Sequence, residues 1–199
     1  VLVLPDGCVD VLVAGGRAIV AGPDTGPQPV TVPAGAVVAG VRLRAGAAGA
    51  ALGLPASEVR DLRVPLEDLW GAAGREAGER AGEHPDALLA ALARRLRAAA
   101  PDPRVLAAAR RLARAPGTRI PALAEALDLG ERQLRRRFAA DVGYGPKTFA
   151  RIARFGAALE LLRRGAPPAE AAYAAGYADQ PHLTREVVAL AGRTPAALS

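Results

Sequence analysis

Two stretches of this chain follow one plan, with a long helix between them. Residues 120–140 read IPALAEALDLGERQLRRRFAA. Leu123, Ala124 and Leu127 fall at helical spacing, Asp128-Leu129-Gly130 supplies a turn, and Leu134 and Phe138 mark the inner face of a second helix. Residues 168–188, PAEAAYAAGYADQPHLTREVV, repeat that order. Ala171, Ala172 and Ala175 lie on a short helix, Gly176 makes the turn, and Leu183 and Val187 point inward from the next helix. Between the two, Gly145-Pro146 starts and Gly165 ends a helix over about Lys147–Arg164, which would span about 27 Å at 1.5 Å per residue. A small Ala in the first helix lets the second cross it closely, and this is a helix-turn-helix pattern.

One such unit is only moderately specific, because any Ala-rich helical hairpin can imitate it. Charge narrows the choice. The polar positions of the first unit's second helix include Arg132, Gln133, Arg135, Arg136 and Arg137. Residues 1–100 carry 10 Arg against 11 acids, whereas residues 101–199 carry 16 Arg and Lys against 9 acids. A near-neutral half beside a basic half predicts a nucleic-acid-binding module joined to something else. The linking helix could set two recognition helices in neighbouring major-groove segments about 34 Å apart.

With 199 residues, 51% of them hydrophobic, the chain has room for two small domains with modest cores. No apolar run nears the roughly 18 residues of a membrane span. The opening Val1–Leu4 lacks the basic region of a secretory signal, so the expected compartment is the cytoplasm. One cysteine, Cys8, and two histidines, His84 and His182, leave no basis for a zinc or other metal site, and no cofactor is expected. The chain has no Met, no Asn and a single Lys, the bias of a GC-rich coding sequence. Without a written initiator, the first strand or strands of the N-terminal domain are expected to precede Val1.

The first 45 residues predict strands at Val1–Leu4, Val9–Val13, Arg17–Val20, Val30–Val32 and Val37–Leu43. Short helices are expected at Ala47–Leu52, Ala56–Leu62 and Pro65–Trp70, followed by a Gly-rich linker from Gly71 to Gly82. The stripe Leu88, Leu89, Leu92 and Leu96 either packs on its own domain or pairs with a second subunit. Helix Arg104–Ala115 then leads to Thr118, an expected N-cap. Cys8 and Asp10 share one face of a strand, and Arg42 and Arg44 one face of another, a candidate effector pocket. The plainer alternative is a buried Cys and turn-forming aspartates.

Residues 102–199 resemble the AraC/XylS-type DNA-binding domain. The resemblance rests on Ala124–Phe138, on Gly143-Tyr144-Gly145-Pro146, and above all on the run from Ala175 to Arg185, with Arg193-Thr194-Pro195 closing it. It implies that Arg132, Arg135 and Arg136 in the first unit meet base edges or phosphates, and Gln180, Pro181, His182, Thr184 and Arg185 in the second. Arg suits guanine and Gln adenine, while Pro181 offers only apolar contact. Glu186 and Val187 depart from the family, which usually has Phe at the latter position. Glu186 is expected to repel phosphates and Val187 to thin the second unit's core.

Residues 1–70 resemble, less closely, a small domain of unassigned role that precedes AraC-type domains in GC-rich bacteria. The carrying residues include Leu4–Asp10, Ala21–Thr25, Gly40–Arg44 and Val64–Trp70. In the wider family such domains are often cupin-like, sensing a small molecule or dimerising.

The expected fold is therefore α+β. A small β-rich, cupin-like domain with short helices occupies 1–83, a connecting helix 84–101, and an all-α double helix-turn-helix domain 102–199. The function expected is that of a sequence-specific bacterial transcription regulator, activator or repressor, and not of an enzyme. Double-stranded DNA is its partner, with a small-molecule effector, RNA polymerase and a second copy of the chain as further candidates. The rivals are a non-specific architectural DNA binder and a thiol enzyme using Cys8. Repair-type alkyl transfer needs a zinc-bound thiolate, which one cysteine cannot build.

Overall fold

A computed structural model describes residues 1–198. The N-terminal half is built on six short strands. β1 is Leu2–Val3, β2 Val9–Ala14, β3 Arg17–Ala21, β4 Gln28–Pro29, β5 Ala39–Leu43 and β6 Arg63–Pro65. β2 and β3 meet across Gly15-Gly16, both at positive φ, as a two-residue hairpin requires. β5, β2, β3 and β6 form one antiparallel sheet in that order, and β1 pairs with β4 in a separate ribbon. The sheet has open edges at β5 and β6. Val9, Val11, Val13, Ala18, Val20 and Leu43 are buried on its inner face, in the alternation that a half-covered sheet dictates. Residues 30–38, expected to contribute strand, are mostly exposed loop.

Helices cover that inner face. α1 is Ala48–Leu52, α2 Leu66–Trp70, α3 Ala72–Glu83 and α4 Asp86–Ala98, with a short 3-10 turn at Ala56–Val59. The Gly-rich stretch expected to be a linker is α3. Its glycines make close packing, not flexibility: a Cβ at Gly78 would lie 2.8 Å from the Ala18 nitrogen, and one at Gly74 2.3 Å from the Leu66 carbonyl oxygen. Only a helix with a bare face can lie this close to the hairpin. Leu88 and Leu92 of α4 are buried in the same core, so this stripe serves its own domain, while Leu89 faces out. Arg95 of α4 donates to the carbonyls of Ala51 and Leu52 at 3.0 and 3.1 Å and lies 4.2 Å over the Trp70 ring. The indole of Trp70 donates to Leu52 as well, at 2.9 Å. Together they satisfy the open C-terminal end of α1.

The C-terminal half is helical throughout: α5 Pro103–Arg114, α6 Ile120–Ala126, α7 Glu131–Val142, α8 Pro146–Arg163, α9 Pro168–Ala174 and α10 Gln180–Ala191. α8 has 18 residues, matching the expected strut. The fully buried Phe138, Phe155, Ile152, Leu134 and Leu183 join one core running through both units, and each such side chain contributes about 1.5–3 kcal/mol by leaving water. α6 starts at Ile120 with no side-chain cap; the expected cap, Thr118, instead donates its hydroxyl to the Ala115 carbonyl at 2.7 Å.

The halves pack on each other. α1 and the Ala56–Val59 turn lie against α7, and Leu4 and Ala45 join the C-terminal core.

Candidate nucleic-acid interface

Each helix-turn-helix unit is closed by the same backbone device. In the first, Asp128 adopts positive φ and the Leu129 N–H donates to the Ala124 carbonyl at 3.0 Å. In the second, Gly176 has positive φ and the Tyr177 N–H donates to Ala172 at 2.9 Å. The residue after each turn, Leu129 or Tyr177, is buried beneath the crossing helices. This fixes which faces of α7 and α10 remain outside.

On α7 those outer positions are basic. Arg132, Arg135 and Arg136 are all exposed. Arg135 is held by Glu131 one turn earlier, at 3.0 Å. Gln133 accepts a long hydrogen bond from the Gly130 N–H, 3.4 Å, at the start of the helix. Arg137 turns away from this surface and donates to Asp102, the N-cap of α5, at 2.8 Å. Burial opposes the Asp102 charge, but Arg137 and the Arg104 N–H outweigh it and hold its pKa below the ordinary carboxylate range.

On α10 the outer surface is smaller and less charged. Gln180, Pro181, Thr184 and Arg185 line one open concavity, and the Thr184 hydroxyl donates to the Gln180 carbonyl at 3.0 Å. His182 is half-buried. Its ring meets Tyr177 edge-on at 5.2 Å, its Nδ1 accepts from the Ala178 N–H at 3.5 Å, and its own N–H donates to Asp179 at 2.6 Å. His182 thus helps to hold the start of α10. Tyr177 in turn carries Arg154 over its ring at 5.4 Å, and burial, then Glu186, pushes its hydroxyl up to about 12.

Glu186 is paired within the protein. It turns back to α8 and accepts from Arg151 at 2.7 Å, so its charge is neutralised inside the protein. Val187 is fully buried despite its size. The departure from the family pattern is accommodated, because a neighbouring helix supplies the partner.

The four residues of the candidate effector pocket are arranged differently. Arg42 makes a bidentate pair with Asp10 at 2.9 and 2.8 Å and also meets Asp6 at 2.9 Å. Arg44 is exposed at the end of β5. Burial, together with Asp6 and then Asp10, raises Cys8 to about 11 against the opposing pull of Arg42. Burial and the neighbouring carboxylates thus disfavour the thiolate that the enzyme reading called for. Asp24, expected from the sequence to be a turn residue, is buried and paired with Arg63 at 2.7 and 2.8 Å, and Asp61, which carried no expectation, binds Thr25. Asp24 sits between Pro23 and Thr25, where turn chemistry alone could account for it.

Among the described residues no group of three or more His, Cys, Asp or Glu side chains is placed to hold a metal ion, and no helix is long and apolar enough to cross a membrane. Residues 123–199 match a family described as a helix-turn-helix domain. Residues 1–65 match a domain of unknown function, DUF6597. No curated protein matches the chain. The C-terminal match agrees with the residues that carried the resemblance.

Proposed function

We propose that this protein, which carries an AraC-type helix-turn-helix DNA-binding domain at its C-terminal end and a DUF6597 domain at the other, regulates transcription by reading promoter DNA through two adjacent major-groove segments. The observation that supports this is the repetition of one folded unit on either side of α8, each with its second helix open outward. Arg132, Arg135 and Arg136 read or clamp the first segment; Gln180, Pro181, Thr184 and Arg185 read the second, with His182 holding their helix in place. Arginine forks favour guanine edges, and Gln180 suits adenine. The N-terminal half, in the bacterial cytoplasm, responds to a small molecule or to a second copy of the chain, and the readout passes to RNA polymerase.

Selection of the full chain on a pool of random duplexes, at two salt concentrations, tests this reading. Two enriched blocks about one helical turn apart are expected. Affinity without enrichment, falling steeply as salt rises, would instead mark an architectural binder held by phosphates alone.

A further inference from the structure

Resting on the two-unit reading above, we infer that the loop Gly22–Pro29 of the N-terminal half is a strap that sets the separation of the two recognition helices, with Pro23 and Pro27 as its positioning residues. α7 and α10 end alike, on the left-handed glycines Gly143 and Gly192, at φ +103° and +64°. Pro23 covers the first: a Cβ on Gly143 would come within 2.2 Å of its ring. Pro27 covers the second, where a Cβ on Gly192 would stand 3.5 Å from its ring. One short loop therefore reaches the C-terminal ends of both reading helices.

The loop is tied down over Gly22–Thr25 and again at Gln28–Pro29, which pair with Leu2–Val3. The Gly22 N–H donates to the Leu62 carbonyl at 3.0 Å, and the Asp61 N–H to the Pro23 carbonyl at 3.3 Å. Asp24 takes its bidentate pair from Arg63, and Asp61 accepts from both the N–H and the hydroxyl of Thr25 at 2.6 and 2.8 Å. Asp61 itself is held at φ +58°, a conformation that persists in a non-glycine residue only when its surroundings fix it. Pro23, Pro27 and Pro29 remove further backbone freedom. The loop hangs from 59–63, directly after the turn that packs on α7.

Without the strap, α8 and the core around it would join the units. With it, the path from α7 through α8 and α10 closes back through the N-terminal half. Two linked binding modules reinforce each other most when their linkage matches the span between their sites. Each added base pair moves the second site by about 3.4 Å and turns it by about a tenth of a turn. A stiff frame therefore selects one spacing, and a loosened one accepts several.

The test compares full-length wild type with Pro27→Gly and Asp24→Asn on duplexes carrying the two selected blocks at the best spacing and with about two base pairs added or removed. Duplexes with one block serve as the reference. Wild type is expected to lose about 100-fold on the altered spacings and the variants only about tenfold, with single-block affinity unchanged. A spacing profile identical to wild type, or a uniform loss on every duplex, overturns the inference. Pro27→Ala, which keeps the backbone ordinary and removes the ring, carries the same test if Pro27→Gly does not fold. A DNA-free readout separates this inference from the function it rests on: spin labels at Glu125→Cys and Ala189→Cys in a Cys8→Ser background. The interlabel distance distribution is expected to broaden in Pro27→Gly; an unchanged width overturns the strap even if no DNA motif is recovered.

Discussion

In the first unit Arg137 reaches back to Asp102 at the start of α5; in the second, Glu186 reaches back to Arg151 on α8. Arg137 and Glu186 hold matching places on α7 and α10, 49 residues apart, and each is paired back to the helix that precedes its unit, with the signs exchanged: Asp102 at the N-cap of α5 and Arg151 within α8. In both units the charge at this place is closed by a partner on another helix, a cation from α7 in the first and from α8 in the second. Outside, where DNA would lie, the units are not equivalent. Arg132, Arg135 and Arg136 of the first correspond to Pro181, Thr184 and Arg185 of the second. The inner charges of both signs are paired within the protein, whereas the outer positions differ in charge and, on the proposed function, set what each unit reads.

The largest effect should come from the outer face. Arg136→Ala and Arg185→Ala, at equivalent positions, should each weaken binding to the selected duplex by about 1–3 kcal/mol and relax base preference only in their own block. Titration of each variant against duplexes with one base changed checks this, and loss of preference in the other block would break the comparison. The inner bridges come next. Arg137→Ala should lower stability to urea by about 1–2 kcal/mol, near the low end for a charged hydrogen bond because Arg137 is partly in water. The exchanged pair Asp102→Arg with Arg137→Glu should recover part of that loss. Recovery should fall short by about 1 kcal/mol, because Asp102 also caps α5 through the Arg104 N–H at 2.8 Å.

Smaller changes sharpen the same contrast. His182→Ala should reduce binding to the second block by a few-fold, about 1 kcal/mol, through loss of the Tyr177 contact that holds the start of α10. The conservative His182→Phe should restore most of it if the ring acts by packing, as equilibrium binding would reveal. The smallest effect is expected at Asp141, whose pKa burial, and then Asp102, raise in the folded protein. A carboxyl with a raised folded pKa costs stability when ionised, and that cost fades as pH falls toward the folded value. Asp141→Asn should therefore raise the melting temperature slightly at neutral pH and less in acid, whereas Asp102, with its lowered pKa, loses its contribution as acid protonates it.

Much of the C-terminal half was legible in the sequence because its turns and caps are local. Gly145-Pro146, Gly165 and Gly176 announce helix ends within a few residues of the helices they bound. The N-terminal half was harder. The glycines of α3 mimic a linker, since a close approach to Ala18 and Leu66 can be seen only once those residues are beside them. Glu186 resembled a repulsive defect for a similar reason: Arg151 lies on another helix, and sequence order alone does not show that the two meet. Arg42 satisfied the alternation argument, yet Asp6 and Asp10 occupy it. Patterns of one element could be read directly, whereas partnerships across elements depended on the fold.

The most direct test of the account is a hydroxyl-radical footprint of the full chain on the selected duplex. It predicts two protected windows on one face of the DNA, about one helical turn apart, one beneath α7 and one beneath α10. A single window, or two on opposite faces of the duplex, would contradict it.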